Sequence, residues 1–423
     1  MRTITLLITT TLCANLPQAL SESSAWSDCY TRATMPALDD VRVLDLTRLL
    51  PGPFCTVMLA DFGADVVKVE DTSGGDYMRW MPPLVDEYSA MFHPLNRNKR
   101  SLAIDLKHAL GREAFLRLAT TADVVVESFR PGVMDRLGLG FATLHEANPK
   151  LVLCSISGYG QDGPFRERAG HDLNYAAVAG VLLLGGGAAE GPVMPGLQVG
   201  DLGGGALDAA LAIMVALHSA ARTGQGQHCD VSMVDGLVSW TGVHASQLFA
   251  TGSVPGPGDG MLTGRFPCYR IYPCADGYLS VGALEPKFWR EFVEVIGLPE
   301  LAGSGLVDGA EGRRAVTAVE AVLRTRTRAQ WEQTLAGHDV CVEPVLDVGE
   351  TFEHPQVRSR GMRLDAGEGR PTAQTGFPIR LMGTPAAYRR AAPGYGEHTD
   401  EVLAEAGLDS EELATLRASG VIR

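Results

Sequence analysis

Two stretches of the chain set titratable side chains at the start of an apolar, helix-like run. In "RERAGHDLNYAAVAG", Arg166 to Gly180, His171 and Asp172 stand between a charged loop and small apolar residues. An imidazole exchanges its proton near neutrality, so His171 is a candidate acid or base. Asp172 is equally a good helix cap, with His171 an idle neighbour. In "GDLGGGALDAALAIMVALHSAART", Asp201 opens a long apolar helix, which is again a cap position. Glu285 precedes Pro286, a residue suited to a first helical turn, and carries the same ambiguity. Two basic groups complete the set. Arg97, Lys99 and Arg100 in "NRNKR" and Arg130 in "SFRPGV" follow or end strand-like runs, where α/β sheets place ligands. Such donors suit phosphate, and solvated surface charge explains any one of them as well.

The elements that must position these residues follow from hydrophobic periodicity. "VRVLDLT" (Val41 to Thr47) reads as a buried strand, "PGPFCTVMLADFGA" as turn and helix, and "DVVKVE" (Asp65 to Glu70) as the next strand. "GREAFLRLATTA", "DVVVESF", "GVMDRLGLG" and "LVLCSISGYG" continue the alternation of helix and strand. A parallel, doubly wound α/β sheet is the expected outcome. Glu70 sits where a ribose-binding acid stands in dinucleotide folds, but the first turn offers Pro51-Gly52-Pro53 and no G-x-G-x-x-G, which argues against NAD. After the long helix come the strand "HCDVSMVDG" and a Gly/Pro/Thr-rich stretch at 251–260, which reads as a linker. A second body follows, with strands in "CYRIYPC" and "YLSVGAL" and helices near 287–296, 314–325 and 328–336.

Composition bounds the function. The chain has 423 residues, 45% hydrophobic and 20% charged, enough for two or three domains with a sizeable core. Its net charge of -14 argues against a nucleic-acid partner and requires any anionic ligand to be held by a local basic cluster. Eight cysteines (Cys13, Cys29, Cys55, Cys154, Cys229, Cys268, Cys274 and Cys341) show no C-x-x-C pair and no zinc-finger spacing, the pattern of reduced thiols in a cytoplasmic protein without a metal site. The N-terminus, "MRTITLLITTTLCANLPQALS", resembles a weak secretory signal and is too short to span a bilayer. Globular patterning begins near Val41, so residues 1–37 are read as an N-terminal extension before the first domain, with 1–34 upstream of a start at Met35, and no membrane association is expected.

From about residue 38 to 415 the chain resembles family III CoA-transferases of the CaiB/BaiF type, and more narrowly their α-methylacyl-CoA racemase branch. The pieces that carry the resemblance are "PGP", "LADFGADVVKVE", "NRNKRSLAIDLK", "VVESFRPGVMDRLGLG", "SGYGQDGP", "AGHDLNY", "GDLGGG", "GQGQHCDVSMVDG", "ADGYLSVGALEPKFW", "DVCVEPVLD" and "GEHTDEVL". The resemblance implies that His171 and Asp201 are opposite-face acid/bases in racemising a 2-methylacyl thioester through an enolate, with Glu285 supporting His171. Such a reaction needs two groups of different resting protonation. It further implies a CoA site drawing on Lys68, Arg97, Lys99, Arg100, Arg130 and Tyr175. The helix start at Asp201, Leu202 and Gly203 would receive the enolate oxygen, and its glycines would admit the thioester close to the backbone. Met233 and Met261 fall near the expected acyl platform, and Arg265 in "GRFPCY" departs from a glycine-rich family pattern in a way that would reshape the pocket.

The expected architecture is a Rossmann-like large domain at 38–232, with 358–423 returning to it, a linker at 233–260 and a smaller α+β domain at 261–357. The family organisation implies an interlocked homodimer, with the small domain of one subunit closing over the large domain of the other. No cofactor beyond the CoA moiety is implied. The rival reading is a CoA-transferase, in which the aspartate at the position of Asp201 forms a mixed anhydride with the acyl group. That chemistry does not need His171, which makes the histidine the discriminating residue.

Overall fold

The computed structural model describes residues 35–186, 191–254, 256–367 and 370–423. The expected upstream extension falls, through residue 34, outside the described residues. The chain opens β1 (Arg42–Asp45), α1 (Pro51–Asp61), β2 (Asp65–Glu70), β3 (Lys99–Ala103), α2 (Ala109–Ala119), β4 (Val124–Glu127), α3 (Val133–Arg136), α4 (Phe141–Ala147) and β5 (Val152–Ser157). Next come α5 (Asp172–Val178), a π-helical segment (Gly200–Leu207) that runs directly into α6 (Asp208–Thr223), and β6 (His228–Ser232). These strands form one parallel sheet in the order β3-β2-β1-β4-β5-β6. Val/Ile/Leu-rich strands buried on both faces suit that arrangement. Adjacent residues point to opposite faces: Val43, Val66 and Val124 join one apolar layer with Ala209 and Ile213 of α6, while Leu44, Val67 and Val125 join the other with Phe115 of α2.

The strand order reverses between β1 and β4. Open α/β sheets bind ligands beyond the carboxyl ends of the strands at such a switch point. The residues after β1 and after β4 are therefore the ones the topology brings to a binding crevice.

By length and composition, Gly200–Thr223 is apolar enough to cross a membrane. In the fold it lies on the sheet, burying Ala209, Ile213, Ala216 and Ala220. The region read as a linker at 233–260 is instead largely helical, as α7 (Met233–Trp240) and α8 (Gly242–Thr251). Ser232 caps α7 by accepting from the Asp235 amide, and Leu237 is buried in the same layer as α6. The turn signals were real only in the Gly/Pro-rich stretch beyond Thr251.

A second apolar centre gathers around an antiparallel sheet ordered β9-β8-β7, from β7 (Tyr269–Pro273), β8 (Tyr278–Gly282) and β9 (Val342–Pro344). Trp289 and Phe292 of α9 (Pro286–Val295), Val319 of α10 (Gly309–Leu323) and Trp331 of α11 (Arg328–Leu335) pack into it. The chain then returns to the large sheet: Val402 and Leu403 of α12 (Thr399–Glu405) and Leu416 of α13 (Ser410–Ala418) enter the layer that contains Phe115. Ile422 pairs with Ile104 just beyond β3. Among the described residues Cys55, Cys154, Cys229, Cys268, Cys274 and Cys341 are free thiols.

Candidate active site at the sheet switch point

A cavity of about 610 Å³ opens at the carboxyl ends of β1, β4 and β5. Its walls are Arg48, Leu49 and Pro51 after β1, Ser128 to Pro131 after β4, Ile156 to Tyr159 at the end of β5, and Arg166, Arg168 to His171, Asn174 and Tyr175. Asp201 and Met233 close the inner side. Among its lining residues Asp201 is the one carboxylate, against Arg48, Arg130, Arg166 and Arg168. On a chain of net charge -14 that is the local basic cluster an anionic ligand requires.

His171 occupies the N-cap position of α5, with extended backbone (φ -131°, ψ 173°). Its amide donates to Asn174 Oδ1 at 3.0 Å, which fixes where the imidazole leaves the chain. Asp172 is the first residue of α5, and its side chain does not cap that helix. Its Oδ1 accepts from the amides of Gly200 at 2.6 Å and Asp201 at 3.0 Å, capping the π-helical segment from outside. Asp201 accordingly stands inside the first turn, one residue past the helix start, and not at the cap that its position suggested.

The same contacts alter the expected oxyanion site. The Asp201 amide is taken by Asp172, and the Leu202 amide donates to Gln198 O at 2.9 Å. The glycines serve packing against α7. A Cβ at Gly203 would sit 1.7 Å from the Trp240 ring, and one at Gly204 would sit 2.6 Å from Met233 O. They let two helices touch at the backbone, where a close approach by thioester was expected. π-Helical turns are rare and concentrate at functional sites. Here one holds Asp201 against the cavity.

Burial first, and the negative charge of Asp172 second, push the Asp201 carboxyl up to about 6, while the His171 ring acts in the opposite sense. A carboxyl group poised there can give or take a proton near neutral pH. Tyr175, expected among the CoA contacts, lines the cavity and donates its hydroxyl to Gly170 O at 2.6 Å. Burial and then Asp201 push its phenol up to about 12, so it remains a neutral donor.

The expected phosphate-binding cations divide sharply. Arg130 is exposed and lines the cavity. Lys68, Arg97, Lys99 and Arg100 do not line it; carboxylates from other elements engage them. Lys68 Nζ lies 2.9 Å from Asp76 and donates to Thr47 O, fully buried. Lys99 Nζ lies 3.0 Å from Asp45 and also donates to Thr56 Oγ1 and Asn96 Oδ1. Arg97 forks onto Asp61 through Nε and Nη2, and Arg100 bridges Asp65, Glu401 and Glu405. These cations bind the fold together and leave no donor for a ligand at the switch point.

Three cavity cations escaped the sequence reading. Arg166 and Arg168 lie in the quoted "RERAGHD" itself, and Arg48 immediately follows β1. The available signal was topological, since Arg48 sits beyond the carboxyl end of β1 at the reversal and Arg166 and Arg168 beyond that of β5, one strand further on. Met233 lines the cavity as expected, while Met261 is exposed and outside it. Arg265 is turned onto Asp308 at the start of α10. Glu285 is exposed at the N-cap of α9, and it too does not line this cavity.

The model of CoA-transferase family III matches residues 38–399. The chain belongs to CoA-transferase family III. Within it, the α-methylacyl-CoA racemase of Mus musculus is 38% identical over 393 residues, 91% of this chain and 97% of the relative. The succinyl-CoA:mesaconate CoA-transferase of Haloarcula hispanica is 36% identical over 392 residues, 88% of this chain and 97% of the relative. The solved structure of a CaiB/BaiF family protein from Brucella suis superimposes with a TM-score of 0.78 at 32% identity, covering 88% of this chain and all of that one. Racemases and transferases of the family thus match this chain over nearly the same span and at nearly the same identity.

Proposed function

We propose that this family III member racemises 2-methylacyl-CoA thioesters by 1,1-proton transfer, with His171 and Asp201 on opposite faces of the α carbon. The observation that carries the reading is the meeting of these two residues on one cavity, with the Asp201 carboxyl raised toward neutrality. In one direction neutral His171 removes the α proton and the Asp201 carboxylic acid returns one to the other face. In the reverse direction the Asp201 carboxylate removes it and the His171 imidazolium returns one. Either way the pair shares one proton, and the planar enolate between them loses its configuration. Arg130, Arg48, Arg166 and Arg168 supply the positive wall for the CoA phosphates. No cofactor beyond the CoA moiety enters this chemistry.

The active unit in this reading is a cytoplasmic homodimer. Leu207, Leu211 and Val215 expose apolar surface, as do Trp240, Val243 and Phe249, the last 83% exposed, and a second copy would cover it. Glu285 of that copy would then orient His171 from across the interface.

The second reading is CoA transfer, favoured by the same Asp201 carboxylate on the cavity wall and by transferase relatives of comparable identity. There Asp201 attacks the thioester carbonyl to form a mixed anhydride and release the CoA thiolate. The thiolate adds back at the Asp201 carbonyl and expels the donor acid. An acceptor carboxylate then displaces the thiolate as a second anhydride, whose acceptor acyl carbonyl the thiolate attacks to give acceptor-CoA and free Asp201. NMR of a pure (2R)-2-methylacyl-CoA in D2O separates the two. Deuterium at the α carbon with inversion, abolished in His171→Ala, is expected. Formation of the CoA thioester of an added acid, without α exchange and unaffected by His171→Ala, would replace racemisation with transfer.

A further inference from the structure

Glu127 ends β4 with its carboxylate folded back on the loop that follows: Oε2 accepts from the Phe129 amide at 2.6 Å. That loop, Ser128 to Pro131, is a wall of the cavity and carries Arg130. Glu127 is 4% exposed, yet it is not isolated from solvent. The Ser155 hydroxyl of β5 hydrogen-bonds to it, and Ser155 Oγ is 2.9 Å from Nε2 of His228, an exposed residue of β6 whose ring stacks on Phe141. A hydrogen-bonded chain therefore crosses three adjacent strands from the surface to the cavity loop. Two further carboxylates face it, Asp135 of α3 and Asp230 of β6.

We propose that Glu127 is a positioning residue for the acyl-CoA cavity: its charged carboxylate holds the Ser128 to Pro131 loop and Arg130 through the Phe129 amide, and its proton passes through Ser155 and His228. This role rests on the acyl-CoA reading. With Glu127 ionised, His228 Nε2–H donates to Ser155 and Ser155 donates to the carboxylate. A proton taken from solvent at the other ring nitrogen lets Nε2 pass its proton to Ser155 Oγ, while Ser155 passes its own to Glu127. The charge-assisted bond to the Phe129 amide becomes a neutral and weaker one. Burial, with Asp135 and Asp230 adding like charge, pushes the Glu127 carboxyl up to about 7, so this exchange falls in the working pH range.

Titration calorimetry with free CoA tests this without assuming which reaction the site performs. Glu127→Gln is isosteric and mimics the protonated form, so the informative quantity is the ratio of its Kd to that of the wild type. The CoA phosphates ionise alike with both proteins and cancel in the ratio. The ratio should be about three- to tenfold near pH 8 and approach unity near pH 6. Ser155→Ala, which removes a bond favouring the ionised form, should move the midpoint of CoA affinity to higher pH. A ratio that stays flat with pH would leave Glu127 as an ordinary turn cap and overturn the proposal. Wild-type protein that fails to bind CoA at any pH would instead remove the acyl-CoA reading, and the positioning role with it.

Discussion

Asp172 clamps the helix start that carries Asp201: one carboxylate oxygen accepts from the amides of Gly200 and Asp201, at 2.6 and 3.0 Å. Because Asp172 directly follows His171, the two candidate acid/bases are joined by a single residue. The clamp ties the start of α5 to the segment that bears Asp201, and its charge helps to raise the Asp201 carboxyl.

The clamp makes a pH prediction with a definite sign. If His171 and Asp201 share one proton, kcat/KM is bell-shaped in pH, and its two limbs belong to the pair as a unit. Asp172→Asn keeps an accepting oxygen and removes the negative charge, so the Asp201 carboxyl falls from about 6 toward its ordinary value. The acid limb should move to lower pH. Asp172→Ala also frees the helix start and should reduce kcat by about a hundredfold, the effect expected of a misplaced reacting group. Steady-state rates from acid to neutral pH check both variants, and an acid limb unmoved in Asp172→Asn would separate Asp172 from the titration.

The glycine seam makes a stability prediction. A methyl at Gly204 meets the backbone of α7, at Met233 O and Leu237 N, whereas one at Gly203 meets the ring of Trp240, which is half exposed and can turn aside. Gly204→Ala should therefore destabilise the protein by about 1–3 kcal/mol and Gly203→Ala by less. Urea denaturation of the two variants gives the order, and the reverse order would contradict the seam.

The divided basic residues predict divided phenotypes. Arg130→Ala should raise KM for an acyl-CoA about tenfold with the fold intact, because it removes a donor from the cavity wall. Lys99→Met should leave Asp45 buried without its partner and destabilise the protein by about 3–5 kcal/mol. Against burial, Lys99 and then Lys68 pull the Asp45 carboxyl down to about 2. Its folded value lies below the unfolded one, so its contribution is present above about pH 4 and disappears as pH falls through about 2. Denaturation midpoints and acyl-CoA kinetics, measured on both variants, should show each defect in one protein only.

That division marks where the sequence was legible. Strands such as "DVVKVE" and "DVVVESF" declare themselves through runs of apolar, β-branched residues, because burial on both faces selects such residues locally. The strand order does not, since it is fixed by contacts between distant segments, and without it the switch point could not be placed. A cation is visible in sequence while its partner is not: Arg100 meets Glu405 across 305 positions, and Lys99 meets Asp45 across 54. Four residues that looked free for phosphate were thereby assigned to a ligand when carboxylates hold them. His171 and Asp201 were legible as a pair through family likeness. Asp172 was read only as a cap for its own helix, and its reach to the helix 28 residues on depends on the fold of the intervening chain.

The backbone contact of Gly204 with α7 fixes the helical segment that bears Asp201. No side chain larger than hydrogen fits at that contact, so the wall bearing Asp201 cannot be reshaped by ordinary substitution without displacing the aspartate. Arg166, Arg168 and Ala169, in the loop before α5, are exposed lining residues of the same cavity. In the racemase reading proposed above, changes in the acyl groups accepted would fall in that loop, while Gly204 keeps Asp201 in place.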